Sequence, residues 1–160
     1  MKRLAIIFAT LLMSAAALSA QNAKSIYNKY SEAKDVSTVY ISPAMLSMMG
    51  GDKGTKIYGT IDIAPFVSSL SGIYIIDSEN KSINKSLEAD VKKMVSSGKY
   101  ELMMEAKDDG ETVRIYTVTE GDFVTSFVLL AVESDECTFI SMDGKISKDD
   151  MRKLAGQMNM

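Results

Sequence analysis

Apolar residues recur along this chain in two rhythms, and one gives way to the other just past residue 98. Helical spacing dominates the first half. Residues 22–34 carry Ile26, Tyr30 and Ala33 at intervals of three and four behind a capping Asn22, which predicts a helix. Val36, Val39, Tyr40 and Ile41 are β-formers and predict a strand over 36–42. Pro43 then opens a short helix bearing Met45, Leu46, Met48 and Met49, since a first helical position does not need the N–H that proline lacks. Glycines predict a loop over 50–54, and residues 62–70 are expected to form a second short helix with Pro65 in its first turn. The compact run Ile73-Tyr74-Ile75-Ile76 suits a buried strand. The strongest periodicity covers 81–97. Ile83, Leu87, Val91, Met94 and Val95 share one side, Lys85, Glu88, Lys92 and Lys93 the other, and Gly98 ends the helix.

Four strand-like segments follow, at 100–107, 111–119, 123–133 and 137–142. Turn residues separate them, and the Asp109-Gly110 pair tolerates the positive φ of a tight hairpin. The segment at 123–133 is apolar on both of its alternating faces, so it is expected at the centre of the sheet with at least one face covered by helix. Ser147, followed by Asp149 and Asp150, caps a last helix with Met151, Leu154, Ala155 and Met158 on its apolar side. Consecutive strands joined by short turns pair antiparallel. The expected fold class is α+β: an antiparallel sheet with a C-terminal four-strand meander and helices packed on one face.

The N-terminus has its own order. Lys2 and Arg3 precede an apolar run from Leu4 to Leu18, and small residues end at Ala20. That is the order of a secretory signal peptide, with cleavage expected near Ala20. The run is shorter than the ~20 apolar residues of a spanning helix. The expected organisation is a signal peptide at 1–20 and a single α+β domain at 21–160. The expected location is secreted across the inner membrane, periplasmic or extracellular, with no integral membrane segment in the mature chain.

Composition then narrows the chemistry. Without Lys2 and Arg3, 16 basic side chains face 21 acidic ones, so the mature chain is mildly acidic. Dispersed negative charge argues against nucleic acid, which favours clustered Lys and Arg. Cys137 is the sole cysteine, so an internal disulfide is excluded. Histidine is absent, which removes the usual general base and the commonest metal ligand together.

Several segments resemble a known family. They are Val39-Tyr40-Ile41-Ser42 with Met45, then Ile73-Tyr74-Ile75-Ile76, then Tyr100-Glu101-Leu102-Met103. The Asp109-Gly110 turn before Val113-Arg114-Ile115-Tyr116, and Gly144 before the capped last helix, fit the same pattern. The chain is similar to the small secreted Bacteroides-type proteins grouped as domain of unknown function 4252. The resemblance spans the mature chain, with Ser126 standing where the family pattern has an acidic residue. It implies a cell-envelope location in a Gram-negative host and carries over no catalytic or binding residue.

Candidate chemistries are each weighed against a plainer explanation. Ser-x-x-Lys, the nucleophile spacing of Ser–Lys acyl enzymes, occurs at Ser31/Lys34, Ser78/Lys81, Ser82/Lys85 and Ser96/Lys99. Four copies in a chain rich in both residues suit solvated surface better than a dyad. Cys137 as a nucleophile needs an activating base. The pairs Asp108-Asp109, Asp135-Glu136 and Asp149-Asp150 suit turns and a helix first turn. The 143–150 segment has Gly and Lys where a calcium loop needs oxygen ligands. The methionines stand out. Met45, Met48 and Met49 are expected one turn apart on one face of the short helix, and Met103 with Met104 is expected to point to opposite sheet faces. Thioethers are soft Cu(I) ligands, and they also suit adaptable binding surfaces.

The function expected is a non-enzymatic binding or regulatory module of the cell envelope, without a cofactor. Its candidate partner surface is Met45, Leu46, Met48 and Met49, facing another envelope protein or a small ligand. The alternatives are a small envelope hydrolase using a Ser–Lys pair or carboxylates, and a Met-based Cu(I)-handling protein.

Overall fold

The computed structural model describes residues 22–49, 56–57, 61–62 and 67–157. The signal segment and the 50–54 loop expected from sequence lie outside the described residues. Helix α1 is Ala23–Tyr30, capped by Asn22, whose side chain accepts from the Ser25 backbone while the Ser25 hydroxyl accepts from that of Asn22. Strand β1, Val36–Ile41, follows, and then helix α2, Pro43–Met49. A two-residue pairing joins β2, Lys56–Ile57, to β3, Ile61–Asp62. Where 62–70 was expected to be helical, the structure has the end of β3, a single 3-10 turn at Val67–Ser69 and the start of β4, Leu70–Ser78. Asn80 caps α3, Lys81–Val95, by accepting from Ser82 and Ile83, and Gly98 leaves the helix at φ +89°.

The meander is as expected in order: β5 Glu101–Asp108, β6 Glu111–Glu120, β7 Phe123–Val132 and β8 Cys137–Ser147. Asp109 and Gly110 both take positive φ in the β5–β6 turn. Strand β8 runs five residues beyond its expected end, to Ser147. Gly144 is there because β8 passes close to the 3-10 turn. A Cβ on it would lie 2.4 Å from the Ser69 carbonyl oxygen and 2.8 Å from Leu70 Cα. Helix α4, Lys148–Gln157, starts directly at the end of β8, with the Ser147 hydroxyl accepting from the Asp150 backbone.

All six main strands pair antiparallel in the order β1-β4-β8-β7-β6-β5, which makes this an α+β protein. Helix placement differs from the expectation of one covered face. Alternation sends Ile76, Val128, Leu130 and Phe139 under α1 and α3, into a cluster with Ile26, Leu87, Val91 and Met94. It sends Ile73, Ile75, Phe127 and Ile140 to the opposite face, beneath Leu46 of α2, Val67 of the 3-10 turn and Met151 of α4. The reason is legible in β7. A strand apolar on both alternating faces needs both of them covered. The two longer covering helices are also tied to each other. Tyr30 Oη donates to Asp90 Oδ2 at 2.7 Å, and Lys29 Nζ approaches the same oxygen at 2.6 Å. Burial, and then the Asp90 carboxylate, push the Tyr30 hydroxyl up to about 12.

Candidate functional site

Sheet and helices leave one well-formed groove on the α2/α4 face, over β5, β6 and β7. Its volume is about 490 Å³, within the usual range for small-ligand sites. Ile115, Val124 and Phe127 make its buried floor, with the small side chain of Thr117 between them. Met103 and Met104 wall it from β5, and Met151 from α4. The charged residues that touch it, Lys148 and Arg152, are both cationic. They lie one helical turn apart on α4 and also line an adjoining recess with Asp122 and Asp149. Arg152 pairs with Asp149, whereas the Lys148 side chain has no ion-pair partner among the described residues.

Among the described residues, the short α4 packs against β7 and β8, and the groove lies between it and the alternating residues of β6 and β5. It is shaped by a β-bulge as well. The β5–β6 register shifts between Leu102 and Met104, leaving Met103 unpaired. Strict alternation places Met103 and Met104 on opposite faces. The bulge breaks that alternation, and both side chains line the same groove, together with Met151. Sequence periodicity misses this because a bulge leaves no trace in a pattern of apolar and polar positions.

The expected partner surface divides. Met48 is 80% exposed and Met45 50%, but Leu46 is 1% exposed and belongs to the core, with Met49 packed partly against it. One turn of α2 has an inward pair at 46 and 49 and an outward pair at 45 and 48, so the four do not form one surface.

The remaining candidates stay apart from the groove. Ser82 and Lys85 both face solvent on α3, away from the buried environment a Ser–Lys dyad requires. Cys137 is fully buried at the start of β8, and burial pushes its thiol up to about 12, the reverse of an activated nucleophile. Glu136 is raised by its hydrogen bond to Asp77 and by the charges of that residue and Glu133. Asp149 and Asp150 hold Arg152 and Lys153 on the surface of α4.

Residues 30–154 match the sequence pattern of a protein family described as Domain of unknown function (DUF4252). The chain belongs to that family. No curated protein matches it. Among solved structures it is similar to cyanobacterial PsbP (CyanoP) from Synechocystis sp. PCC 6803, with 17% identity, 76% of each chain covered and a TM-score of 0.35. The DUF4252 match reaches from the last residue of α1 into α4, so both walls of the groove lie within it. No helix among the described residues is long and apolar enough to cross a membrane.

Proposed function

We propose that this DUF4252 protein is a non-enzymatic binding module of the cell envelope, and that its ligand is an aliphatic chain with an anionic head, seated in the groove beneath α4. One observation carries this reading: the groove has an apolar floor and walls, and the charged residues touching it are both cationic. An acyl chain buries well against methionines, which adapt to irregular shapes. A carboxylate or phosphate head would then meet Lys148 and Arg152 at the rim, where Lys148 has no ion-pair partner among the described residues. The N-terminal basic, apolar and small-residue order supports a compartment in which lipids and their fragments are at hand. The buried, raised thiol of Cys137 and the exposed Lys85 weigh against the hydrolase alternative.

The test is displacement of a fluorescent fatty acid from the purified domain, residues 21–160, by palmitate and by hexadecylamine. Palmitate is expected to displace the probe at micromolar concentration and the amine to do so at least tenfold less well. Lys148→Glu is expected to reverse the preference, and Met151→Glu to abolish binding. Equal displacement by both headgroups would remove the role given to Lys148, and no displacement at all would remove the ligand class.

A second reading rests on the bulge. Met103, Met104 and Met151 all line this groove, and thioethers are a donor set suited to Cu(I). Titration with Cu(I) against a chromogenic chelator decides it. Stoichiometric capture lost in Met104→Leu favours copper, and no capture excludes it.

A further inference from the structure

The face covered by α1 and α3 has a polar patch near the middle of the sheet. Asp143 projects from the middle of the sheet on that face, on β8, the third of six strands. Its cross-strand neighbours are small: Gly72 opposite it on β4 and Ser126 opposite it on β7. Two residues before it, on the same face, is Ser141, fully buried, whose Oγ has no hydrogen-bond partner among the described residues. A buried hydroxyl left without a partner is costly and calls for an explanation. Tyrosines stand around this floor. Tyr74, opposite Ser141, stacks on Tyr40 with ring centroids 4.8 Å apart, and Tyr100 Oη lies 3.4 Å from Ser126 Oγ. Ser126 in turn hydrogen-bonds the Asp143 carboxyl.

The backbone is irregular along the same row. Register shifts fall between Leu70 and Gly72, between Val124 and Ser126, and between Val118 and Thr119, each at the strand positions flanking Asp143 or next to them. Bulges of this kind re-aim side chains and recur beside functional sites. A central, half-buried carboxylate with no cationic partner among the described residues, beside small residues and near the Tyr74 and Tyr100 hydroxyls, is an expensive arrangement. Its chemistry is that of an acceptor for positive charge.

We propose that Asp143, with Ser126, Ser141 and the rings of Tyr74 and Tyr100, forms a binding site for a primary ammonium group. The carboxylate supplies the opposite charge and the hydroxyls of Ser126 and Ser141 supply neutral acceptors. The tyrosine faces add cation–π attraction, which strengthens when water is excluded. Gly72, opposite Asp143, brings no side chain to the carboxylate, and a Cβ there would lie 3.7 Å from the Tyr74 ring and 3.9 Å from that of Tyr40. The site is on the opposite face from the groove under α4 and does not depend on the ligand proposed there.

The experiment is an amide NMR titration of the domain with n-butylammonium chloride, and with n-butanol as a neutral probe of equal length. Saturable shifts confined to the amides around Gly72, Ser126, Ser141 and Asp143 are expected with the ammonium and not with the alcohol. Asp143→Asn keeps the side-chain shape and is expected to weaken binding at least tenfold, with the rest of the spectrum unchanged. Ser141→Ala is expected to weaken it severalfold, which keeps the test intact if Asp143→Asn perturbs the fold. A parallel titration with N-acetyl-lysine methylamide separates two sources of the same group. Tighter binding than butylammonium assigns a lysine side chain of a polypeptide, and weaker binding a free small amine. Shifts that do not saturate, or that persist equally in Asp143→Asn, would overturn the proposal.

Discussion

On one face of the sheet, Phe139, Val128 and Leu130 lie under α1 and α3 with no exposed surface, while on the other Met103 is 62% exposed at the lip of a groove. Both faces are built by the same strands, from residues one position apart. The difference comes from what covers them. Helix α3 is 15 residues long and is tied to α1 through Asp90, so the pair spans the central strands and seals them. Among the described residues, the opposite face has a seven-residue helix, a 3-10 turn and α4, and a groove lies between α4 and β5 and β6. The α1/α3 face holds the domain together along most of its extent, with the half-buried Asp143 as its exception, and the opposite face has room for a ligand under α4.

The largest effect expected from this contrast lies in matched truncations on the two faces. Phe139→Ala removes a fully buried ring from the sealed face and is expected to cost about 3–5 kcal/mol. Met104→Ala, on the wall of the groove, is expected to cost about 1 kcal/mol or less, since the side chain is already partly solvated. Urea denaturation of both variants reads the difference directly. Equal losses would mean that the groove is closed in solution.

Gly144→Ala is expected to come next. The added methyl would sit against the backbone of Ser69 and Leu70, which cannot swing aside as a flexible side-chain tip does. The 3-10 turn must move from β8, at a cost of about 1–3 kcal/mol. The loss should be accompanied by altered ligand binding only if the groove under α4 depends on that turn. A variant as stable as the parent would show that the close approach of β8 to the 3-10 turn is relaxed in solution.

These two faces were unevenly legible in the sequence. The α3 stripe of Leu87, Val91 and Met94, the Asp109-Gly110 turn and the strand order of the meander follow from local spacing, which the tertiary structure keeps. The doubly apolar β7 carried the information that both faces are covered, but no local rule says which helix goes to which side. The extension of β8 through Asp143 and Gly144 was hidden because Asp and Gly are turn-formers, and here their positions are set by a neighbouring backbone and by a polar patch inside the core. The bulge at Met103 and the division of α2 into inward Leu46 and outward Met48 are tertiary outcomes. Both groups are apolar and methionine-rich in sequence, and only the packing tells which members are core.

The sealed face has its own weak point, and pH exposes it. Burial holds the Asp143 carboxyl above the usual range for aspartate, partly offset by the hydrogen bond from Ser126. The folded chain therefore binds this proton more tightly than the unfolded chain does. Its contribution to stability is most favourable below the ordinary aspartate value and is lost as pH rises through the raised one. Comparing parent with Asp143→Asn isolates the term from Glu105 and Asp150, whose depressed values act in the opposite direction. The variant is expected to gain stability relative to the parent as pH rises across that window, and the gain should be flat above it. Thermal melts at a series of pH values check this. A stability difference independent of pH would mean that Asp143 is solvated, and that the α1/α3 face is open there.

The smallest effect is expected at the tip of α2. Met48 is 80% exposed and Met45 half exposed, so replacing both with serine removes little buried surface. The Ser47 hydroxyl already bonds back to the Ala44 carbonyl, so this short helix accommodates serine in its last turn. Stability is expected to stay within about 0.5 kcal/mol of the parent, as for other exposed sites. Leu46→Ala, one residue away, is the internal control and is expected to cost about 2–5 kcal/mol because its side chain is core. If the double serine variant proved as costly as Leu46→Ala, the two methionines would be covered in the native protein. The face called open would then be sealed at α2 as well, and the contrast between the faces would shrink to the groove under α4.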